Sequence, residues 1–155
     1  MLFTEDLAIT PDSQTFLDQF TKFATDIGLP PSCAQVLSYL LICQPKYQHA
    51  AQLQRTLALS SGSVNIAATM LLKAGLIEIV RLSHDRKYYY QAVPSGFAAL
   101  TQRRLQTFGL VADIAATGLK DDPNNPRLLA IQKLYAFLDK EVAHLAGKLD
   151  DFKHN

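Results

Sequence analysis

Hydrogen-bonding side chains are concentrated between residues 60 and 73, in a segment with helical spacing. They are Ser60, Ser61, Ser63, Asn65, Thr69 and Lys73. The amide of Asn65 offers one donor and one acceptor, the pattern that adenine presents in the major groove of DNA. The serine hydroxyls can donate to phosphate oxygens, and a helix N-terminus itself attracts an anion. Two simpler interpretations stay open: Asn65 is a solvated helix residue, or the serines only cap the helix.

A second set of residues suited to phosphate is cationic and flanks this segment. It consists of Arg55, Arg81, Arg86 and Lys87. Residues 46–104 carry a net charge of +6, against −4 in residues 1–45 and −1 in residues 105–155. Such a basic block suggests a polyanionic partner, although a solvated surface can have the same composition. Arg86 would contact phosphate or the minor groove, or else pair with Asp85 or with the hairpin backbone.

Catalytic and metal-binding chemistry has little support in the sequence. The four histidines show none of the spacings of a zinc site, and no glycine-rich phosphate loop occurs. Cys33 and Cys43 are ten residues apart in one helical stretch, so about 15 Å separates them, which is too far for a disulfide. We expect both to be core thiols; redox sensing is the alternative, but no adjacent base lowers either pKa. No enzymatic activity, cofactor or metal is therefore expected.

These residues need a scaffold, and the composition indicates a folded one. The chain has 155 residues, of which 48% are hydrophobic and 19% are charged. A chain of this length typically buries about 70% of the surface of its unfolded form, so it needs neither metals nor disulfides to fold. The N-terminus has acidic residues where a signal peptide has basic ones, and no apolar run reaches the roughly 18 residues of a membrane span. We expect a cytoplasmic protein.

Helical patterns dominate the chain, with one hairpin among them. Apolar spacing and end signals predict helices at 11–27, 32–43, 48–57, 61–74, 95–118 and 127–152. The inward side of the third should carry Ala51, Leu53 and Leu57. The inward side of the fourth should carry Val64, Ala67, Ala68 and Leu71. Ser60 should cap the fourth helix, and Gly75 should end it.

Two β-favouring segments, 76–82 and 87–93, follow the fourth helix and predict a hairpin with a charged tip. The second segment contains Tyr88, Tyr89 and Tyr90, which we expect to pack the hairpin rather than bind a ligand.

Three pieces of this pattern carry a resemblance to a known family. They are GLP before the second helix, SSGSVNIAATMLLKAGLI over the fourth, and DRKYYY after the hairpin tip. In this order, residues 28–92 resemble the DNA-binding domain of the MarR superfamily, specifically its GbsR-like branch. The resemblance implies a mainly α fold with a small β-hairpin: a winged helix-turn-helix domain flanked by long N- and C-terminal dimerisation helices. It also implies a homodimer with one recognition helix per subunit in the major groove and the wing over backbone or minor groove.

The recognition helix departs from that of similar proteins. They often have Lys at the position of Ser61 and Arg at that of Thr69, and a glycine at the wing tip where this chain has Ser83 and His84. The helix retains Lys73 as its only formal charge. The charge for binding phosphate must then come from Arg55, Arg81, Arg86 and Lys87.

The last predicted helix is too apolar to stand alone in water. It carries Leu128, Leu129, Ile131, Leu134, Tyr135, Phe137, Leu138, Val142, Leu145 and Leu149. We therefore expect residues 11–27 and the two C-terminal helices to form a two-fold dimer interface. In this arrangement residues 1–155 form a single domain, with a winged-helix core at 28–93 and a helical dimerisation region at 1–27 and 94–155.

Together these features predict a sequence-specific regulator of transcription, a repressor, that binds double-stranded DNA as a homodimer. The alternative is a winged-helix protein–protein interaction module that does not bind DNA, because the recognition helix carries so little charge. The expected DNA-binding residues are Arg55, Ser60, Ser61, Ser63, Asn65, Thr69, Lys73, Arg81, Arg86 and Lys87. A small-molecule effector, if one exists, would bind where the dimer helices meet the DNA-binding domain. Aromatic residues that could hold it are Phe16, Phe20, Tyr39 and Tyr135.

Overall fold

The chain divides into two compact units, residues 1–94 and residues 95–155, and the computed structural model describes residues 9–153. The first unit contains α1 (Pro11–Asp26), α2 (Pro31–Ile42), β1 (Tyr47–His49), α3 (Ala50–Leu57), α4 (Ser61–Ala74), β2 (Ile77–Arg81) and β3 (Tyr88–Ala92). The second unit contains α5 (Ser95–Gly118), α6 (Pro126–Lys148) and a 3-10 turn (Leu149–Phe152).

The predicted fold class, a mainly helical winged helix-turn-helix with a small antiparallel sheet, is confirmed. The two-unit division groups α1 with the winged-helix elements. The expected single domain, in which α1 and the C-terminal helices together form a dimerisation region, stays a prediction.

Local signals start and end α1 as the sequence predicts. The Thr10 hydroxyl oxygen caps the helix by accepting from the Ser13 amide at 3.2 Å, and Pro11 occupies the first turn. Beyond the last turn, Gly28 has a φ of 107°, which glycine adopts without the steric penalty of a side chain. The chain can therefore reverse and enter α2, which packs against both α1 and α4.

The core of the first unit surrounds α2. The largest fully buried side chains include Leu37, Leu53, Leu71 and Leu76. Full burial of each leucine contributes roughly 1.5–3 kcal/mol relative to an exposed position.

The two cysteines, Cys33 and Cys43, belong to this core, as predicted: both are buried and neither forms a disulfide. Burial raises the pKa of both thiols, that of Cys43 to about 11. Neither is therefore a reactive thiolate at neutral pH, which argues against redox sensing.

The sheet contains a strand that the sequence analysis missed. Its order is β1, β3, β2, and all pairs are antiparallel, with Gln48 opposite Tyr90 in one pair and Ile79 opposite Tyr90 in the other. A strand of three residues is too short to show an alternating pattern, so β1 has no signal in the sequence.

The predicted helix at 48–57 consequently begins two residues later, at Ala50. Leu53 is fully buried, as expected, and Leu57 is half-buried. The expectation for Ala51 is wrong, because it lies in the first turn of the shortened helix and is exposed.

In the second unit, α5 and α6 form an antiparallel pair. Phe108 and Tyr135 contact each other across the pair, with ring centroids 5.9 Å apart, and the Gln102 amide donates to the Ala146 carbonyl at 3.0 Å. The buried residues of α5 are small, namely Gly96, Ala112 and Ala115, and within Pro126–Lys148 no residue is buried. The last predicted helix, 127–152, ends at Lys148 and continues as the 3-10 turn, just after the poor helix former Gly147.

Among residues 9–153, no single helix is long and apolar enough to cross a membrane. Only α3 and α4 taken together would pass such a test, and the chain bends by 116° between them.

Candidate nucleic-acid interface

A helix-turn-helix is formed by α3 and α4. The bend of 116° between them lies within the range of about 90–120° that is usual for this motif. Ala58 makes the turn: it has a left-handed φ of 52°, and its amide donates to the Gln54 carbonyl. Ser60 then caps α4, because its hydroxyl oxygen accepts from the Ser63 amide at 3.1 Å. These local bonds hold α4 at a defined angle to α3.

The two faces of α4 are clearly distinguished by burial. The predicted inward residues Val64, Ala67, Ala68 and Leu71 are all buried. On the other side, Ser61, Asn65, Thr69 and Lys73 are exposed, and Ser63 is half-buried. Gly75 ends the helix with a φ of 74°, as predicted. The core contacts of α4 therefore turn the predicted polar residues toward solvent.

The hydroxyls on α4 differ in their internal hydrogen bonds. Ser60 donates to Ser63 Oγ at 2.9 Å in addition to capping the helix, so capping accounts for much of its role. The Thr69 hydroxyl donates to the Asn65 carbonyl at 2.9 Å. Ser61 has no side-chain hydrogen bond within the described part of the chain, so its exposed hydroxyl can donate to a phosphate.

His49 connects α3 to the sheet, a role that the sequence analysis missed. As the N-cap of α3, it accepts from the Gln52 amide through Nδ1 at 3.4 Å, while Gln52 Oε1 accepts from the His49 amide at 2.9 Å. The imidazole also packs edge-on against the Tyr89 ring, with centroids 5.5 Å apart. The spacing of His49 and Gln52 is that of a capping box, a signal the sequence contains.

Two of the predicted phosphate-binding cations, Lys87 and Arg55, both influence the pKa of His49. Burial lowers the pKa of His49, and the positive charges of Lys87 and Arg55 lower it further, while Asp85 has the opposite effect. Arg55 of α3 and Lys87 of the wing therefore contribute positive potential to the same region.

The wing loop, residues 82–87, is held in place by Asp85. Its Oδ2 accepts from the Tyr89 hydroxyl at 2.6 Å, and its Oδ1 accepts from the Lys87 amide at 2.9 Å. Both hydrogen bonds keep the pKa of Asp85 below its ordinary value, and the bond between the Tyr89 hydroxyl and Asp85 raises the pKa of Tyr89 to about 12. Asp85 thus stabilises the loop, and among residues 9–153 no ion pair joins it to Arg86, which is exposed.

Arg81 packs on the exposed ring of Tyr88. Its Nη2 donates to the Tyr88 hydroxyl at 2.6 Å, and its Cζ lies 4.5 Å from the ring centroid. A guanidinium has five N–H donors, so further donors are left for an anion. Tyr89 is buried and Tyr90 half-buried, whereas Tyr88 is 51% exposed. Because Tyr88 packs against its cross-strand partner Arg81, the expectation that the tyrosines pack the hairpin also holds for Tyr88.

All ten predicted DNA-binding residues lie on the first unit, on α3, α4, the turn between them and the wing. Their roles in binding stay predictions. The sequence analysis overlooked two apolar residues on the exposed side of α4: Ile66 is 60% exposed and Met70 is 45% exposed. The signal was present, because neither residue falls within the inward stripe of the helix.

Other kinds of site have little support. Within residues 9–153, no three His, Cys, Asp or Glu side chains are grouped so that they could hold a metal ion. An open cleft of about 440 Å³ lies among α1, α2 and the end of α3, with Leu17, Asp18, Gln35 and Leu57 in its lining. The aromatic residues expected to hold an effector do not line it, so the effector stays a prediction.

Comparison with known proteins identifies relatives of this chain, although no family model matches it. The HTH-type transcriptional regulator MmpR5 of Mycobacterium tuberculosis is 29% identical over 149 residues, which covers 93% of this chain and 90% of the relative. A crystal structure of a transcriptional regulator, also 29% identical, aligns with a TM-score of 0.68 over 91% of this chain and 99% of its own. The chain is a homologue of transcriptional regulators.

A more distant structure also aligns with this chain. The structure of NMB1585, a MarR family regulator from Neisseria meningitidis, is 19% identical and covers 89% of this chain and 91% of its own, with a TM-score of 0.41. The predicted resemblance to a transcriptional regulator is confirmed by the two relatives that are 29% identical, whereas the GbsR-like branch stays a prediction. Both 29% identical relatives are named as transcriptional regulators and not as enzymes, in agreement with the expectation from the sequence.

Proposed function

We propose that this protein is a sequence-specific DNA-binding repressor that acts as a homodimer. The observation that carries the proposal is the exposed side of α4 within a helix-turn-helix bent by 116°. There the Asn65 side chain is exposed, while Val64 and Ala68, which belong to the inward stripe, are buried. An α-helix presented in this way fits the major groove of DNA.

In the proposed complex, α4 supplies specificity and the surrounding cations supply affinity. Asn65 would bind an adenine through its N6 and N7 edge. Ser60, Ser61, Ser63 and Thr69 would bind phosphate or base edges near the start and middle of α4. Arg55, Lys73, Arg81, Arg86 and Lys87 would neutralise phosphates, which releases counterions and makes binding sensitive to salt.

The proposed homodimer is supported by the apolar surface of the second unit. Exposed side chains on α5 and α6 include Leu110, Ile114, Leu134, Phe137 and Leu145. A second copy offers the same surface, so a two-fold interface of the obligate class, burying more than about 2,000 Å², would cover it. The paired recognition helices should then meet half-sites about 34 Å apart, one turn of DNA. Repression would follow if this dimer occupied a promoter.

One observation favours the second candidate, a protein–protein interaction module. Ile66 and Met70 are exposed on α4, where a DNA-binding helix could have carried cations. Selection from a random duplex library with the full-length protein distinguishes the two candidates. Enrichment of a common sequence supports the DNA-binding function, and no enrichment at low salt contradicts it.

The selected duplex and a scrambled one then test the residues by fluorescence anisotropy at several salt concentrations. Asn65→Ala should lose about 1–3 kcal/mol on the selected duplex and much less on the scrambled one. Arg86→Ala should weaken both duplexes together and reduce the salt slope by about one unit per subunit contact. Asn124→Ala, an exposed asparagine in the second unit, is the matched control and should change neither.

Equal losses on both duplexes for Asn65→Ala would show that another residue reads the base. No loss for Arg86→Ala would show that the wing tip does not contact DNA.

A further inference from the structure

The middle of the exposed face of α4 contains a large apolar side chain. Successive residues of an α-helix are about 100° apart around its axis. The direction opposite the buried stripe therefore passes near Gly62, Ile66, Thr69 and Lys73. Asn65 lies toward one edge of this face, whereas Ile66 lies near its centre and is 60% exposed. An isoleucine is thus among the side chains that project most directly from the helix.

Ile66 differs from the other exposed apolar residue of the helix. The Sδ of Met70 lies 3.7 Å from the Sγ of the buried Cys33, so Met70 is held back against α2. Ile66 is the more exposed of the two. An isoleucine is also a poorer helix former than the straight-chain polar residues usual on a helix surface. Neither the core nor the helix itself therefore accounts for Ile66 at this position.

Gly62, one turn before Ile66, leaves the backbone of this face open to close approach. A Cβ built on Gly62 would find only the Ser60 Oγ, at 4.0 Å, so the fold itself has room for a side chain there. Glycine in a helix is less favourable than alanine by about 1 kcal/mol, and a common reason to keep it is the close approach of a ligand to the backbone.

In the major groove, the C5 methyl of thymine is the apolar group that a base offers. We infer that Ile66 is a specificity-determining residue that contacts a thymine methyl, next to the adenine that Asn65 binds. The inference rests on the proposed DNA binding and extends it: the preferred site contains a thymine that is recognised by its methyl group rather than by a hydrogen bond. This division explains the low charge of α4. The helix distinguishes bases, while Arg55 and the wing cations attract the DNA backbone.

Replacement of thymidine by deoxyuridine tests the inference, because it removes the methyl group and keeps the base pair. The probe is the duplex selected with the wild-type protein, resynthesised with one deoxyuridine at a time. For the full-length wild type, loss of the contacted methyl should weaken binding about threefold to fivefold, the factor for one buried methyl-sized group. Ile66→Ala should bind the thymidine duplex more weakly by a similar factor and should respond less than about 1.5-fold to the same replacement.

Ile79→Ala is the matched control, since Ile79 is an exposed isoleucine on β2 and not on α4. It should retain the full response to the loss of the methyl group. The inference is overturned if no deoxyuridine weakens the wild type, or if Ile66→Ala responds as strongly as the wild type at every position. If the selection enriches no duplex at all, the proposed function fails and Ile66 belongs to a protein-binding surface instead.

Discussion

The two units of the molecule bury their apolar residues to very different degrees. In the first unit, Leu53 and Leu71 are 0% and 2% exposed, whereas in the second unit Ile114 and Phe137 are 63% and 57% exposed. The second unit contacts itself through small residues such as Ala112 and Ala115 of α5. Several larger apolar side chains of the helix pair, among them Ile114 and Phe137, lie outside that contact.

This contrast indicates that the first unit can fold by itself, whereas the second unit needs a partner surface. The first unit has several helices and a sheet around α2, so it can bury its apolar side chains by itself. Two antiparallel helices can cover only one face of each other, and the remaining apolar faces need another surface. We therefore expect the stability of the second unit to depend on protein concentration and that of the first to depend on its own core.

The largest expected effect comes from charges on the second unit. The double variant Ile114→Glu, Phe137→Glu should convert a dimer into a monomer, because two carboxylates per chain would have to be desolvated in the proposed interface. Light scattering should give the mass of one chain, and the Tm should no longer rise with protein concentration. Ile66→Glu, an equally exposed position on the first unit, should leave the dimer intact. If the double variant remains a dimer, the exposed apolar side chains of the second unit do not form the dimer interface.

The next effect concerns the core of the first unit. Leu71→Ala should lower the free energy of unfolding by about 2–5 kcal/mol, because it removes a fully buried side chain and leaves a cavity. Ile66→Ala in the same helix should change it by less than about 0.5 kcal/mol. Urea unfolding at constant protein concentration measures both values. Similar losses of stability for the two variants would contradict the burial of Leu71 and the exposure of Ile66 on α4.

The smallest effect is a pH dependence within the first unit. The pKa of His49 is lowered in the folded protein. Near and below the ordinary value of 6.5, the His49 imidazole is therefore protonated to a greater extent in the unfolded chain than in the folded one. Stability should therefore fall as the pH drops from 7.5 through 6.5 toward the folded-state pKa. His49→Asn keeps a residue able to cap α3 and should show less of this loss. Thermal unfolding of both proteins at matched pH values checks the difference, and parallel curves would contradict the assignment.

Much of the helix-turn-helix could be predicted from sequence because its determinants are local. Ser60 caps α4, Gly75 ends it, and the inward stripe that includes Val64 and Leu71 is buried as its spacing predicts. Each of these features depends on residues within about one turn, where backbone geometry limits the alternatives. The exposed side of α4 followed from the same periodicity, although only its polar residues, and not Ile66, were predicted to bind a partner.

The sequence by itself determined the helices, the hairpin and the basic segment around them, since each is encoded by neighbours along the chain. Only the tertiary structure decided that Gln48 and His49 join β3, because that pairing brings together residues about 40 positions apart. It also decided that Asp85 accepts from Tyr89 and that Arg81 packs on Tyr88. Which of several chemically suitable partners a side chain contacts depends on the distance between them and on their burial. Distance and burial are defined only once the chain has folded.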